Sequence, residues 1–224
     1  MERKFAVIGL GRFGMRIALS LVEAGAEVLV IDRDIRKVEA VAENVMFAVA
    51  LDATDKKALE VHNIDQMDAV VVSIGENFEA LLITAVNCKE LGVEKVITRY
   101  STETQRRILQ KLGFKEIFSP EDEVGRLVAK RLIHPDIETF VELPDDHEIV
   151  EMQVPSLLVG KSLWDIDLRK RYNINLITIR RGGAAEGESH VVGVPGPDTV
   201  FLQGDELILM GKRQDLQRFL EENR

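Results

Sequence analysis

Residues 5–32 read FAVIGLGRFGMRIALSLVEAGAEVLVID, and this stretch decides the fold. The apolar run that opens it predicts a buried strand, and Gly9, Gly11 and Gly14 follow in G-x-G-x-x-G spacing. Apolar residues at helical spacing come next, and a second apolar run then leads to Asp32. Strand, glycine turn, helix and strand, with an acid about 20 residues after the glycines, is the pattern of a nucleotide-binding unit.

Each part of this pattern has its own physical role. Gly9 allows a tight turn out of the strand, and Gly11 has no Cβ, so the backbone can touch a phosphate. Gly14 lets the helix pack close to the sheet. The helix N-terminus offers unpaired N–H groups and the positive end of its dipole to an anion, and Asp32 can accept hydrogen bonds from two ribose hydroxyls. We therefore predict that this glycine loop, residues 9–14, binds a nucleotide and is not merely a glycine-rich turn.

The composition is that of a soluble globular protein. Of 224 residues, 46% are hydrophobic and 30% charged, and the net charge is -9. This charge argues against a nucleic acid or an anionic membrane surface as the main partner, and neither terminus carries the basic helix of a redox-sensing transcription factor. No apolar run approaches the roughly 18 residues that span a bilayer, so we expect neither membrane insertion nor a signal peptide. The single cysteine, Cys88, excludes an intramolecular disulfide, fits a cytoplasmic protein and is expected to be a packed thiol.

Strands and helices continue to alternate after the opening unit. Apolar runs predict strands at 46–51, 69–74, 95–99 and 116–118, with helical periods between them. Six strands alternating with five helices predict a Rossmann-like, doubly wound parallel sheet. Ligands of such sheets bind at the carboxyl ends of the strands, so we expect the loops at those ends to form one crevice. Its predicted residues are Gly9, Gly11, Arg12, Phe13, Gly14, Asp32, Arg33, Asp52, Ala53, Ser73, Ile74, Gly75, Asn77 and Arg99.

A helix follows the sixth strand, and the chain then changes character. Ser119-Pro120 is a good helix start, and residues 121–133 carry apolar side chains at helical spacing. These side chains must be buried, either on the sheet or against a second subunit. Pro135 and Pro144 break the pattern. We therefore predict an N-terminal lobe at 1–135, a linker at 136–146 and a smaller α+β C-terminal lobe at 147–224.

The C-terminal lobe is expected to be built from short elements. Alternation over residues 149–154 predicts a half-exposed strand, and residues 163–172 predict a short helix. The remaining predictions are strands at 176–179, 191–194 and 206–210, a polar loop at 182–190 and a final helix at 211–220.

Two functions are compatible with a nucleotide crevice. In the first, the chain is an NAD-dependent oxidoreductase whose C-terminal lobe supplies a substrate pocket and an acid–base residue. The histidines, His62, His134, His147 and His190, are scattered singly, without the spacing of a zinc or catalytic cluster. In the second, the nucleotide is a signal, and Arg12 neutralises its outer phosphate. The alternative for Arg12 is a surface salt bridge, and similar spellings occur in dehydrogenases, so this residue alone cannot choose.

A series of motifs that runs through both lobes favours the second of these two functions. GLGRFG follows FAVI, and Asp32, LDAT at 51–54 and AVVVSIG at 69–75 come after it. The series continues with SPEDEVG at 119–125, IVEMQVP at 149–155, GKSLWDIDLRKRYNINLITIRR at 160–181 and GDELILMG at 204–211. It resembles the RCK (KTN) family, closely the TrkA/KtrA-type cytosolic regulatory subunits of bacterial potassium uptake systems.

The resemblance implies a ring of eight subunits, built from homodimers, that docks on a membrane potassium channel subunit of the TrkH/KtrB type. The ring would be cytoplasmic, peripheral to the membrane, and would gate that partner without catalysing a reaction. In this family ATP and ADP compete for the N-terminal crevice, and some members also bind NAD(H).

The resemblance also implies roles for individual residues. The glycine loop would hold the phosphates, with Arg12 on the terminal one, and Asp32 would hold the ribose. Asp52 and Ala53 would lie by the adenine. Glu121, in SPEDEVG, matches a carboxylate that binds a divalent cation (Mg or Ca) near the nucleotide at the dimer interface; from the sequence alone it is only an acid at a helix N-terminus. The second lobe of the family can bind cyclic di-AMP, but its contact residues are not identifiable here by motif.

Overall fold

The computed structural model describes residues 3–133, 135, 137–182 and 189–223, with the backbone alone at 138–140. The chain forms two units, Met1–Gly125 and Arg126–Arg224. The strands of the first unit are β1 (Lys4–Ile8), β2 (Glu27–Asp32), β3 (Phe47–Ala50), β4 (Ala69–Val72), β5 (Val96–Arg99) and β6 (Glu116–Phe118). They form one parallel sheet in the order β3-β2-β1-β4-β5-β6, with Phe5 opposite both Val28 and Ala69. The predicted Rossmann-like sheet is confirmed.

Helices cover both faces of this sheet. They are α1 (Arg12–Glu23), α2 (Ile35–Glu39), α3 (Lys56–Val61), α4 (Phe78–Glu90), α5 (Glu103–Lys111) and α6 (Pro120–Ile133). Val7 and Val30 pack with buried residues of α1 and α2, whereas Ile8 and Ile31 pack with buried residues of α3, α4 and α5. Because both faces are buried, the strands read as continuous apolar runs. The helix α6 contains the boundary between the two units, and none of its residues is buried.

The second unit is an antiparallel sheet with short helices, as predicted for an α+β lobe. Its strands are β7 (Ile137–Glu142), β8 (His147–Gln153), β9 (Asn175–Gly182), β10 (Ser189–Val191) and β11 (Glu206–Lys212), in the order β10-β9-β11-β8-β7. The helices are α7 (Leu163–Ile166), α8 (Leu168–Tyr172) and α9 (Arg213–Asn223). Tyr172, Phe201 and Phe219 are the largest of its fully buried side chains, and the Tyr172 and Phe219 rings meet edge to face.

The linker predicted at 136–146 contains a strand and a turn among its described residues, 137–146. Ile137–Glu142 is the strand β7, which pairs antiparallel with β8. The Pro144-Asp145-Asp146 sequence forms the hairpin turn between them: Asp145 and Asp146 have positive φ angles of 58° and 56°, and the Leu143 N–H donates to the His147 carbonyl. A proline just after an edge strand leaves the ladder of that strand intact, so Pro144 marks a turn here.

Other differences from the predicted elements are local. The helix predicted at 163–172 is divided at Asp167, whose φ of 49° lies in the left-handed region. The strand predicted at 191–194 instead spans Ser189–Val191, where it pairs antiparallel with β9. Most of the polar loop predicted at 182–190, and also His134, fall outside the described residues. None of the described helices combines the length and the apolar composition that crossing a bilayer requires.

Candidate functional site

A cavity of about 570 Å³ lies at the carboxyl edge of the first sheet. Its walls come from the loops after β1, β2, β3 and β4, from the first turns of α1 and α4, from the end of β5 and from the start of α6. The structure brings together every predicted crevice residue except Gly14. The predicted residues on the walls are Gly9, Gly11, Arg12, Phe13, Asp32, Arg33, Asp52, Ala53, Ser73, Ile74, Gly75, Asn77, Arg99 and Glu121.

The three motif glycines have different surroundings. At Gly9 the backbone turns with a φ of 95°, which favours glycine. A Cβ on Gly11 would meet nothing within 4 Å, so this position is open to a ligand. A Cβ on Gly14 would lie 2.0 Å from the Gly9 carbonyl oxygen and 2.4 Å from Ser73 Oγ. Gly14 therefore serves helix packing, as predicted from its place in the motif, and it does not line the cavity.

The N-terminus of α1 is uncapped by any side chain. Its N-cap residue is Gly11, which has no side chain, and its first turn contains no acid. In the first unit, whose residues 3–125 are all described, α2, α3, α4, α5 and α6 each have a side-chain acceptor at the N-terminus. These acceptors are Asp34, Asp55, Asn77, Thr102 and Ser119. The free N–H groups and the dipole of α1 therefore remain available for an anion.

Asp32 holds the glycine loop in place. Its Oδ2 accepts a 2.6 Å hydrogen bond from the Leu10 N–H, and its Oδ1 accepts a 2.9 Å bond from the Asp34 N–H. Lys37 Nζ lies 3.7 Å from Oδ2. Each carboxylate oxygen has two lone pairs, so Asp32 can still accept hydrogen bonds from a sugar.

The loop after β3 supplies a second carboxylate. Asp52 Oδ1 accepts hydrogen bonds from the Thr54 N–H at 3.0 Å and from the Thr54 hydroxyl at 2.8 Å. These two bonds hold the pKa of Asp52 below its ordinary value, and the bond from the Thr54 backbone has the larger effect. The nearby charge of Arg33 lowers the pKa further. Ala53, between the two bonded residues, is buried against the apolar core. This part of the wall is small, apolar and flanked by acceptors, which suits a planar base.

The start of α4 forms a larger part of the cavity wall than the sequence predicts. Asn77 caps this helix by accepting a 3.0 Å hydrogen bond from the Ala80 N–H. The residues on the cavity wall that were not predicted are Lys37, Thr54, Glu76, Glu79, Ala80, Ile83 and Thr84, together with Ile8 and Ile31 at the strand ends. Ala80, Ile83 and Thr84 follow Asn77 at helical spacing on one face. Continuing the helical spacing from Asn77 along α4 would have predicted these three residues from the sequence.

Arg99 and Glu121 form an ion pair in the cavity wall. Arg99 Nη2 donates to Glu121 Oε1 at 2.8 Å; the Arg99 side chain is 14% exposed and that of Glu121 66%. Arg99 Nε is buried and has no hydrogen-bond partner among the described residues. Within the described part of one chain no three potential metal ligands of the His, Cys, Asp or Glu type are gathered. Glu121 alone does not make a cation site, because its carboxylate is already engaged by a guanidinium.

Cys88 and the described histidines lie away from this cavity. His62, His147 and His190 do not line it. Burial raises the pKa of the Cys88 thiol to about 12, so it stays protonated and unreactive at neutral pH. Cys88 packs in the apolar core, as predicted.

The second unit has an open cavity of its own, of about 640 Å³. Its lining includes Trp164, Arg169, Val194, Pro195 and Pro197. Nothing in these residues identifies a cyclic dinucleotide, and the binding of cyclic di-AMP by this lobe stays a prediction.

Known proteins resemble this chain over nearly its whole length. Residues 5–120 match the TrkA-N domain and residues 147–223 match the TrkA-C domain. The Ktr system potassium uptake protein C of Bacillus subtilis (strain 168) is 36% identical over 219 residues, covering 98% of this chain and 96% of that protein. The Ktr system potassium uptake protein A of the same strain is 31% identical over 221 residues, covering 99% and 97%.

Solved structures share the fold at lower identity. The crystal structure of the GsuK RCK domain has a TM-score of 0.54 and 20% identity, covering 98% of this chain and 46% of that one. The GsuK channel bound to NAD has a TM-score of 0.54 and 19% identity, covering 98% and 38%. The Shewanella denitrificans Kef CTD in AMP-bound form has a TM-score of 0.50 and 18% identity, covering 59% and 82%. With both domains matched in order, this chain belongs to the TrkA/KtrA branch of the RCK family.

Proposed function

We propose that the chain is the nucleotide-sensing regulatory subunit of a potassium uptake system. In this proposal ATP and ADP compete for the cavity of the first unit, and the protein performs no chemistry on them. The proposal rests on the uncapped N-terminus of α1 at the wall of a cavity that also contains Asp32 and Arg99. It is supported by similarity to two Ktr potassium uptake proteins along 96% and 97% of their lengths.

The lining residues suggest a pose for the nucleotide. The phosphates lie at the N-terminus of α1, where the open space at Gly11 lets them approach the backbone. Arg12 is exposed and forms no hydrogen bond or ion pair with any described residue, so its guanidinium is free to take the terminal phosphate. Asp32 binds the ribose hydroxyls, and the adenine lies by Asp52 and Ala53. We propose NAD(H) as a further ligand of the same cavity; in support, the GsuK channel has been solved bound to NAD and the Kef CTD in AMP-bound form.

Regulation in this proposal is a shift between two populations of the assembly. A ligand biases such an equilibrium only by its differential affinity for the two states, however tightly it binds. ATP and ADP share the adenosine contacts, so the difference between them must come from groups that meet the third phosphate. Those groups are the basic side chains on the cavity wall, Arg12, Arg33, Lys37 and Arg99.

The assembly proposed is a ring of eight chains made from homodimers. It docks on the cytoplasmic side of a TrkH/KtrB-like membrane potassium channel subunit. The exposed apolar side chains of α6, Val124, Leu127, Val128, Leu132 and Ile133, support contact with a second subunit, because a single chain leaves them in water.

A divalent cation at Glu121 remains a prediction. Arg99 engages one oxygen of Glu121, and no group of three potential ligands is gathered among the described residues, so further ligands would have to come from the nucleotide or from a second subunit. No step of the proposed regulation passes through the metal.

The proposal is tested by titrating the purified chain with AMP, ADP, ATP, NADH and cyclic di-AMP while following thermal unfolding and heat of binding. We expect ATP and ADP to stabilise the protein and to displace each other, since a ligand that binds only the folded state raises its stability. Light scattering should give a mass near eight chains. Steady oxidation of NADH with a small substrate would overturn the proposal in favour of an oxidoreductase.

A further inference from the structure

Among the described basic residues of the cavity wall, Arg99 is the one whose side chain is largely withdrawn from solvent. It is the last residue of β5, and its side chain is 14% exposed, whereas Arg12, Arg33 and Lys37 are exposed. A Cβ on Gly75 would lie 2.8 Å from Arg99 Nη1, so the guanidinium fills the space over the loop after β4. The sheet therefore places a fixed positive charge in the wall.

The hydrogen bonding of this guanidinium is incomplete. Arginine carries five N–H donors, and the acceptor that the described residues offer Arg99 is one oxygen of Glu121, at 2.8 Å. Arg99 Nε is buried and donates to no described group. A buried donor without an acceptor is unfavourable, and an anion with several oxygens would satisfy it. The Arg99 guanidinium can therefore bind an acceptor with more oxygen atoms than the single Glu121 oxygen that it now contacts.

Glu121 is a weak competitor for that acceptor position. Its side chain is 66% exposed, and it meets Arg99 end-on through a single bond. Exposed carboxylates gain little from such pairs, whereas a phosphate can engage the guanidinium with two parallel bonds. Glu121 is also the second residue of α6, the helix that contains the boundary between the two units.

We infer that Arg99 is a specificity residue for the third phosphate, which displaces Glu121 from it. ADP, one phosphate shorter, leaves the Arg99–Glu121 pair closed. ATP opens it and frees the carboxylate in the first turn of α6. This inference rests on the proposed function, because it assumes that adenine nucleotides occupy the cavity.

The test is a double-mutant cycle on the full chain, with affinities for AMP, ADP and ATP measured by calorimetry in buffer containing EDTA. Without divalent cations, any metal-binding role of Glu121 is silent. Arg99→Gln should lower the ratio of ATP to ADP affinity about tenfold, the size expected for one charge-assisted hydrogen bond, and leave AMP unchanged. Glu121→Gln should raise the ratio about two- to fivefold, because the competitor is gone. In the Arg99→Gln background, Glu121→Gln should have no further effect.

Controls separate a role in recognition from a role in folding. Arg99→Lys keeps the charge but loses the planar fork, so it should lower the ratio less than Arg99→Gln does. Lys95→Gln removes an exposed cation from the segment just before the same strand, where it pairs with Glu116 away from the cavity, and should leave the ratio unchanged.

Three outcomes would overturn the inference. The first is an equal loss of AMP, ADP and ATP affinity in Arg99→Gln, which is the mark of a merely structural residue. The second is a Glu121→Gln variant with an unchanged ratio of ATP to ADP affinity. The third is a Glu121→Gln substitution that raises this ratio in the Arg99→Gln background. A wild-type chain that binds none of the three nucleotides would instead refute the proposed function.

Discussion

Substituting Gly14 separates the packing role of a motif glycine from a ligand-binding role. In Gly14→Ala the new Cβ would stand 2.0 Å from the Gly9 carbonyl oxygen and 2.4 Å from Ser73 Oγ. The first of these is backbone and cannot rotate away, so α1 must move off the sheet. The move also disturbs the 2.6 Å hydrogen bond from the Ser73 hydroxyl to Gly9.

The magnitude follows from three terms. Overpacking costs roughly 1–3 kcal/mol. Loss of the buried Ser73 hydrogen bond adds about 1 kcal/mol, and alanine regains about 1 kcal/mol over glycine as a helix former. We expect Gly14→Ala to destabilise the first unit by roughly 1–3 kcal/mol, or about 30-fold faster amide exchange for 2 kcal/mol.

The matched control is Gly11→Ala, whose Cβ would meet nothing within 4 Å and whose φ of -71° suits any residue. Its unfolding free energy should fall by no more than about 1 kcal/mol, the cost of a poorer N-cap. Its nucleotide affinity should fall about tenfold or more, because the methyl group occupies the approach to the backbone. The assay is hydrogen exchange by mass spectrometry on peptides from β1 and α1, without ligand, beside calorimetry with ATP. Unchanged exchange in Gly14→Ala, with faster exchange in Gly11→Ala, would refute these assignments.

Four further predictions concern single side chains. Arg12→Ala should bring the ratio of ATP to ADP affinity closer to one in calorimetry, at nearly unchanged stability, because no described residue pairs with Arg12. Asp32→Ala should weaken AMP, ADP and ATP alike and also lower stability by about 1–3 kcal/mol, because two backbone N–H groups lose their acceptor. Burial alone raises the pKa of Asp205, but the paired hydrogen bonds from Arg181 bring it below its ordinary value of 3.8. The stability that this gives is present above pH 3.8 and is lost as the pH falls further. The free energy of unfolding, measured in urea by tryptophan fluorescence, should therefore fall below pH 3.8 in the wild type and fall less steeply in Asp205→Asn. Cys88, with a pKa of about 12, should resist iodoacetamide at pH 8 in the native protein and react once urea unfolds it.

Each of these predictions has an opposing result. An unchanged affinity ratio in Arg12→Ala would remove that residue from phosphate recognition, and a loss confined to ATP in Asp32→Ala would remove the ribose assignment. If the free energy of unfolding falls as steeply with pH in Asp205→Asn as in the wild type, the Asp205–Arg181 ion pair does not cause that fall. Trp164, the single tryptophan, lies in the second unit, so its fluorescence reports on the unfolding of that unit. Rapid alkylation of native Cys88 would contradict its burial.

The nucleotide crevice could be predicted from the sequence because parallel strands bring their carboxyl ends to one edge. Once the strands ending near Ile8, Asp32, Ala50, Val72 and Arg99 are assigned, their loops must meet there. The partners of Asp32 could not be predicted in this way. Whether its carboxylate faces a sugar alone or also binds the Leu10 N–H depends on the path of the glycine loop, and local sequence leaves that path open.

The edge strand β7 shows why the second lobe was harder to predict. Ile137–Glu142 is short and lies between two prolines, a pattern that also describes a linker. What makes it a strand is its pairing with β8, a tertiary contact, together with the turn that Asp145 and Asp146 allow. Similarly, the left-handed Asp167 divides one apolar helical period into two short helices. Both cases are decided by backbone geometry that hydrophobic periodicity does not report.

The first N–H groups of α1 have no side-chain acceptor, so an acceptor for them has to come from solvent or from a ligand. Its five neighbours in the first unit carry a built-in acceptor at the same position, so their first turns are complete in water alone. If a nucleotide binds as proposed, its phosphate supplies the missing acceptor of α1. We then expect the order of this helix, and with it the rigidity of the first unit, to rise with the concentration of the nucleotide.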